Sequence, residues 1–244
     1  NNTGVNTSKL NQLERFVKNF PKEGVHMSGE QLHNRLDEIE QIRGLYTPFQ
    51  LGLAAAFACS AFTFLLGGGP IEMLCAFIGA GVGNFLRCHL IKRHFTLYLC
   101  VISSVALACL SYVLSLRLFD MIFTLPGNHE AGYICAMLFI IPGFPFITSG
   151  IDLAKLDMRS GLERLAYAVI IVVAATITGW IMSSILGVHP ANFAELSIPP
   201  MLHLLFRLAA SFVGVFGFSI MFNSPPAIAS VSYTHLTLPT TSRV

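Results

Sequence analysis

Six apolar stretches, near 49–66, 70–86, 95–116, 131–150, 165–186 and 202–222, alternate with polar connections along this 244-residue chain. Each approaches the about 20 residues that a helix needs to cross the hydrocarbon core of a bilayer. The pattern predicts an all-α integral membrane protein with about six transmembrane helices, the second of them short and glycine-rich. Residues 1–48 are polar, but Leu10, Leu13, Phe16, Val17 and Phe20 recur at helical spacing, and Leu32, Leu36, Ile39 and Ile42 do so again after Ser28. Ser28 with Gln31 three residues on is a capping-box pattern, so two short amphipathic helices are expected before the membrane. They contain no apolar run of the signal-peptide kind, which leaves the first span as the expected insertion signal.

Composition sharpens this picture. The chain is 54% hydrophobic and 11% charged, with a mean hydropathy of +0.66, whereas a soluble domain carries about 25% charged residues. A net charge of +2 spread over several connections makes no basic cluster, and so no case for nucleic acid. Cys59, Cys75, Cys88, Cys100, Cys109 and Cys135 lie in or beside apolar spans without metal-type spacing, and are expected to be small packing residues. No P-loop, zinc-protease, serine-hydrolase or dinucleotide fingerprint is present, so neither cofactor nor metal is expected.

Lysines and arginines number six before the first span, then zero, three, one, three and zero in the following connections. That alternation predicts a cytoplasmic N-terminus by the positive-inside rule. Arg87, Lys92, Arg93, Lys155, Arg159 and Arg164 then lie on the cytoplasmic side.

The most informative segment is 141–164, IPGFPFITSGIDLAKLDMRSGLER. Pro142 and Pro145 withhold two amide donors, which is expected to leave the carbonyls of Leu138 and Ile141 without helical partners. Backbone broken at membrane depth must face protein or a water-filled cavity. Pro142 falls about 16 Å from the start of its span at 1.5 Å per residue, near the midplane. A helix restarting after Pro145 would turn its positive end toward a substrate carboxylate; the alternative is an ordinary proline kink. Asp152 and Asp157 follow as candidates for proton or amine coupling, or else as loop carboxylates paired with Lys155, Arg159 or Arg164. Glu72, in the first turn after Pro70, suits a helix-capping role at the outer rim. Arg207 sits inside the sixth span, where it either snorkels or pairs with an acid elsewhere. Gly79, Gly81 and Gly83 permit close helix approach.

Residues 61–70, AFTFLLGGGP, align without a gap to 217–226, GFSIMFNSPP. The copies close the first and sixth spans, five crossings apart, which predicts an inverted-topology repeat of the kind found in secondary transporters. From Val231 the text changes to VSYTHLTLPTTSRV, a polar tail that looks foreign to the gene and is set aside from fold reasoning. The expected organisation is a soluble segment over 1–48, a five-span domain over 49–190, the start of a second half over 200–230, and the tail over 231–244.

The N-terminal helix ending near Tyr46, the turn at Gly67 to Pro70, and the signature Pro142, Gly143, Pro145, Gly150, Asp152, Leu153, Asp157, Ser160, Gly161, Leu162 and Arg164 together resemble the threonine/serine exporter family over about residues 28–230. The resemblance implies a five-span first half whose second half is either fused or a separate subunit. It also implies proton-coupled export of small hydroxylated amino acids, or of dicarboxylates in a two-subunit branch. Pro142, Gly143, Pro145, Asp152, Asp157, Arg164 and Glu72 are the candidate residues of the substrate and proton pathway. Competing readings are a membrane enzyme using Asp152 and Asp157 on a lipid-linked substrate, and a non-transporting scaffold. The expected partners are a small amino acid or dicarboxylate, protons, the lipid bilayer and a second transporter half.

Overall fold

The computed structural model describes residues 6–23, 27–42, 44–123, 129–189, 199–226 and 229. The tail from Val231 and most of the connection before residue 199 lie outside the described residues. All regular structure among the described residues is helical: α1 Thr7–Glu23, α2 Gly29–Glu40, α3 Pro48–Leu65, α4 Pro70–Lys92, α5 Leu97–Phe123, two 3-10 helices Glu130–Tyr133 and Cys135–Ile140, α6 Gly143–Ala154, α7 Met158–Leu186 and α8 Pro200–Met221. Five of these are long and apolar enough to cross a membrane, and the 3-10 segment with α6 makes a further span bent by 57°. The second span is longer than the hydrophobic pattern predicted. It continues as helix through Arg87 to Lys92, because charges at a helix end neither break its hydrogen bonds nor prevent burial of their alkyl stems.

The spans Pro48–Phe218 form one unit, and small residues let its helices meet. α3 buries Gly52, Ala54, Ala55, Ala56, Ala58 and Cys59, and α4 buries Cys75, Ala76, Gly79, Ala80 and Gly83. Lipid tails supply no hydrophobic drive between helices, so close backbone approach and dispersion contacts must hold them. A Cβ on Gly79 would lie 2.8 Å from the carbonyl oxygen of Ala108, and one on Gly83 2.9 Å from that of Ser104, both in α5. Asn84 adds a polar tie, its Nδ2 donating to Leu51 O at 2.8 Å.

Helix directions settle whether the bent segment crosses. Near the end of α5, Arg117 Nη2 donates 3.0 Å to Leu186 O at the end of α7, so α5 and α7 run parallel. α8 runs antiparallel to α3: Phe206 meets Phe64 near the end of α3, while a Cβ on Gly217 would touch Ala54 and Ala58 nearer its start. Both relations require the segment 130–154 to carry the chain from one end of the bundle to the other. It is a sixth span, not a hairpin that returns.

The second unit comprises 1–47 and 219–244. Ser28 caps α2 with the full capping box, its side chain accepting from Gln31 N while the Gln31 side chain accepts from Ser28 N. Asn6, Thr7, Leu45 and Tyr46 hold the turn at 222–224: Thr7 Oγ1 lies 2.8 Å from Ser224 Oγ, Leu45 N donates to Asn223 Oδ1 at 2.7 Å, and Tyr46 Oη donates to Ser224 O at 2.8 Å. The two aligned segments end in the same local geometry. Gly67 and Asn223 both adopt positive φ, 104° and 62°. Gly68 N donates to Thr63 O, and its counterpart Ser224 N donates to Ser219 O, the six-residue closure of a helix C-terminus.

Candidate functional site

The broken span is built differently from the sequence expectation. Its first half is 3-10 rather than α, and the two carbonyls expected to be orphaned find local donors: Ile141 N donates to Leu138 O at 3.1 Å and Gly143 N to Ile141 O at 2.9 Å. The helix restarts at Gly143, with Pro145 tolerated in its first turn, where an N–H has no intrahelical partner to lose. Because Gly143 N–H is engaged and Pro145 has none, the helix end offers an anion fewer donors than expected. Pro142 is buried, whereas the Cβ direction of Gly143 meets nothing within 4 Å.

The 3-10 geometry also moves the break. At about 2.0 Å per residue the eleven residues 130–140 span about 22 Å, where an α-helix would span about 16 Å. α4 provides an independent ruler. Arg87 stands about 26 Å along α4 from Pro70, and its Nη1 reaches Phe139 O, just before the break, at 3.4 Å.

Arg87 is the residue that sequence reasoning missed. Expected in a basic cytoplasmic loop, it is instead a part-buried helical residue whose Nε is covered and has no hydrogen-bond partner. None of the ion pairs among the described residues includes it. Guanidinium stays protonated in any setting, so the break carries a positive charge with incomplete satisfaction.

The predicted carboxylates fall into separate places. Asp152 ends α6, and its Oδ2 lies 3.0 Å from Arg164 Nη1 with side chains 22% and 52% exposed. Among the described residues Oδ2 is covered and makes no hydrogen bond, so this is charge proximity without alignment. Asp157 is the N-cap of α7, accepting from Ser160 N. Ser160 holds its carboxyl below the ordinary aspartate range, which keeps it ionised at neutral pH. The turn between them places Leu156 at φ 65°, and Ser149 Oγ ties α6 to Gly161 O at 2.9 Å.

Glu72 lies at the opposite end of the bundle, in the first turn of α4. It is buried, and its Oε1 lies within hydrogen-bond distance of His129 Nδ1, at 2.7 Å. Tyr112, fully buried on α5, donates its hydroxyl to His129 O at 2.7 Å. Tyr133 Oη donates to Gly179 O at 2.8 Å, and Glu130 Oε2 accepts from His189 N at 2.7 Å. Thus the predicted residues divide between the break, the α6–α7 turn and this far end.

A family model described as "Putative threonine/serine exporter" matches residues 1–186. The chain belongs to the threonine/serine exporter family. The match ends with the last residue of α7. The family is one of exporters, so the reading of this member as an enzyme on lipid-linked substrates falls away. A relative in Klebsiella aerogenes, "Probable succinate transporter subunit YjjP", is 24% identical over 176 residues, 71% of this chain and 64% of the relative. The chain therefore spans less than two thirds of that relative's length. No solved structure matches.

Proposed function

We propose that this exporter-family chain moves small carboxylates outward by alternating access, with Arg87 binding the substrate carboxylate beside the broken span. One observation carries the reading: a covered guanidinium with no carboxylate partner stands next to a break in a membrane span. A charge removed from water is costly unless paired, and a substrate carboxylate supplies the pair through charge-assisted hydrogen bonds. Threonine, serine and succinate all present that group, so one anchor serves both substrate classes associated with the family. The open space at Gly143 gives the ligand room.

Asp152 takes a different part. α6 separates it from the break by about 15 Å, too far for one small amino acid to touch both. With Arg164 it forms the charge pair at the inner end, which opening toward the cytoplasm must separate. The distribution of basic residues supports a cytoplasmic N-terminus. The matching helix ends at 63–68 and 219–224 support an inverted repeat begun by α8, and Arg207, exposed on a largely uncovered α8, favours a second half packing there. Transport is driven by the proton gradient in this reading.

The test is efflux from cells expressing the complete transporter, with its second half, after loading with threonine, serine or succinate. Faster release of at least one of them than from cells lacking this chain is expected. Equal release of all three would overturn the proposal.

A further inference from the structure

We propose that Glu72 and His129 form a single proton-binding site at the outer end of the bundle, with His129 Nε2 as the atom that takes up and releases the proton. The inference rests on the transport reading and deepens it by naming the coupling site. Glu72 and His129 side chains are only 4% and 15% exposed, and their contact is 2.7 Å. A carboxylate only accepts hydrogen bonds, so Nδ1 carries the shared hydrogen and Nε2 is left as the basic atom of the neutral ring. Among the described residues that Nε2 is covered and has no partner.

The charge balance decides what the pair can do. With neutral imidazole the pair bears one negative charge away from bulk water. The titratable groups facing it are Cys75 from α4, Tyr112 from α5 and Cys135 from the 3-10 segment, with Glu130 acting on Tyr112; none of them supplies a positive charge, and among the described residues no lysine or arginine pairs with Glu72. Transfer of one proton from hydronium to Nε2 makes the ring an imidazolium, releases water and brings the pair to zero net charge. Burial favours that neutral state, while the unpartnered Nε2–H then favours any motion that admits water to it.

The site is also built to sense movement of the broken span. Tyr112 grips the backbone at His129, and Gly132 leaves room for the Tyr112 hydroxyl and the Glu72 Cβ. His129 immediately precedes the 3-10 segment that ends at Arg87 and the break. A proton held at one end of this half-span and a carboxylate bound at the other therefore act on the same element.

Two readouts on the complete transporter in liposomes test the proposal. In nitrogen-15 NMR of histidine-labelled protein, with His129 assigned by its loss in His129→Gln, acidification should convert the His129 signals from the neutral-ring to the imidazolium pattern. Glu72→Gln should make that conversion at least about tenfold less favourable at a given acidity, because it removes the anion that favours the imidazolium. The wild-type efflux rate should follow that conversion, and His129→Gln should flatten its pH profile to less than about twofold variation. A His129 that stays neutral throughout overturns the proposal. So does a His129→Gln variant whose rate falls equally at every pH, since that is the signature of a structural clamp. If the wild type moves no substrate, the transport reading fails, and the NMR titration alone decides whether the pair binds a proton.

Discussion

Replacing Gly132 by alanine probes the packing that holds the Glu72–His129 pair. The new Cβ would intrude on the Tyr112 hydroxyl and lie 2.9 Å from Glu72 Cβ. Tyr112 is fully buried, so its ring has no solvent to retreat into, and the hydroxyl must leave His129 O. Overpacking of this kind costs about 1–3 kcal/mol, and loss of the hydrogen bond adds about 1 kcal/mol. The gain from replacing glycine, at most about 1 kcal/mol in an α-helix interior, is smaller in a four-residue 3-10 turn. A net loss near 2 kcal/mol follows from these terms. Tyr112→Phe alone should cost about 1–2 kcal/mol by stranding the carbonyl. The double variant has no hydroxyl to collide with, so it should be less destabilised than the sum of the two by about 1–2 kcal/mol. Equilibrium unfolding in mixed micelles measures all four proteins. Additivity within about 0.5 kcal/mol, the range of independent sites, would refute the geometry.

Gly83→Ala should lower the melting temperature in detergent, because its Cβ would lie 2.7 Å from Ala108 Cβ and overpacking at about 1–3 kcal/mol exceeds the helix-propensity gain of at most about 1 kcal/mol. Gly81→Ala, with its nearest neighbour at 3.2 Å, should melt near the wild type; equal melting of the two variants would contradict the assigned faces. Asp157→Asn should leave efflux within about twofold of wild type, since asparagine caps as well as aspartate. Ser160 depresses the Asp157 pKa, so the cap's electrostatic contribution is present above the ordinary carboxylate range and lost as pH falls through the lower folded value. A stability profile in acid should therefore flatten in Asp157→Asn, and an unchanged profile would remove the cap from the account. A cysteine placed at 155 in a cysteine-depleted chain should react only with probes that enter the cell, and labelling from outside would reverse the topology.

The spans and the proline break were legible because apolar length and the missing amides of Pro142 and Pro145 are local properties of the text. The 3-10 form of residues 130–140 was not, since no residue type in CAMLFI distinguishes it from α; packing against α3, α4 and α5 decides it. The change in rise per residue lengthens this half of the span relative to an α-helix. Arg87 looked like a loop cation because Lys92 and Arg93 follow close behind it in the sequence, and only the tertiary contact with Phe139 reveals its placement. His129 escaped notice for the opposite reason, sitting just outside an apolar stretch with its partner Glu72 57 positions away. Glu72 itself could have been read from sequence as a rare acid at a span end, but its partner could not.

Substrate binding to the complete transporter, measured by calorimetry with and without the Arg87 charge, bears most directly on the central claim. Loss of a charge-assisted hydrogen bond is worth about 1.5–3 kcal/mol, so Arg87→Gln should weaken threonine or succinate binding by about 10- to 150-fold, while Arg87→Lys retains part of the affinity. Esterifying the substrate carboxylate should weaken binding to the wild type by a similar factor, and should matter little in Arg87→Gln. Wild-type affinity in Arg87→Gln, or an ester penalty unchanged by that substitution, would contradict the assignment of the carboxylate to Arg87.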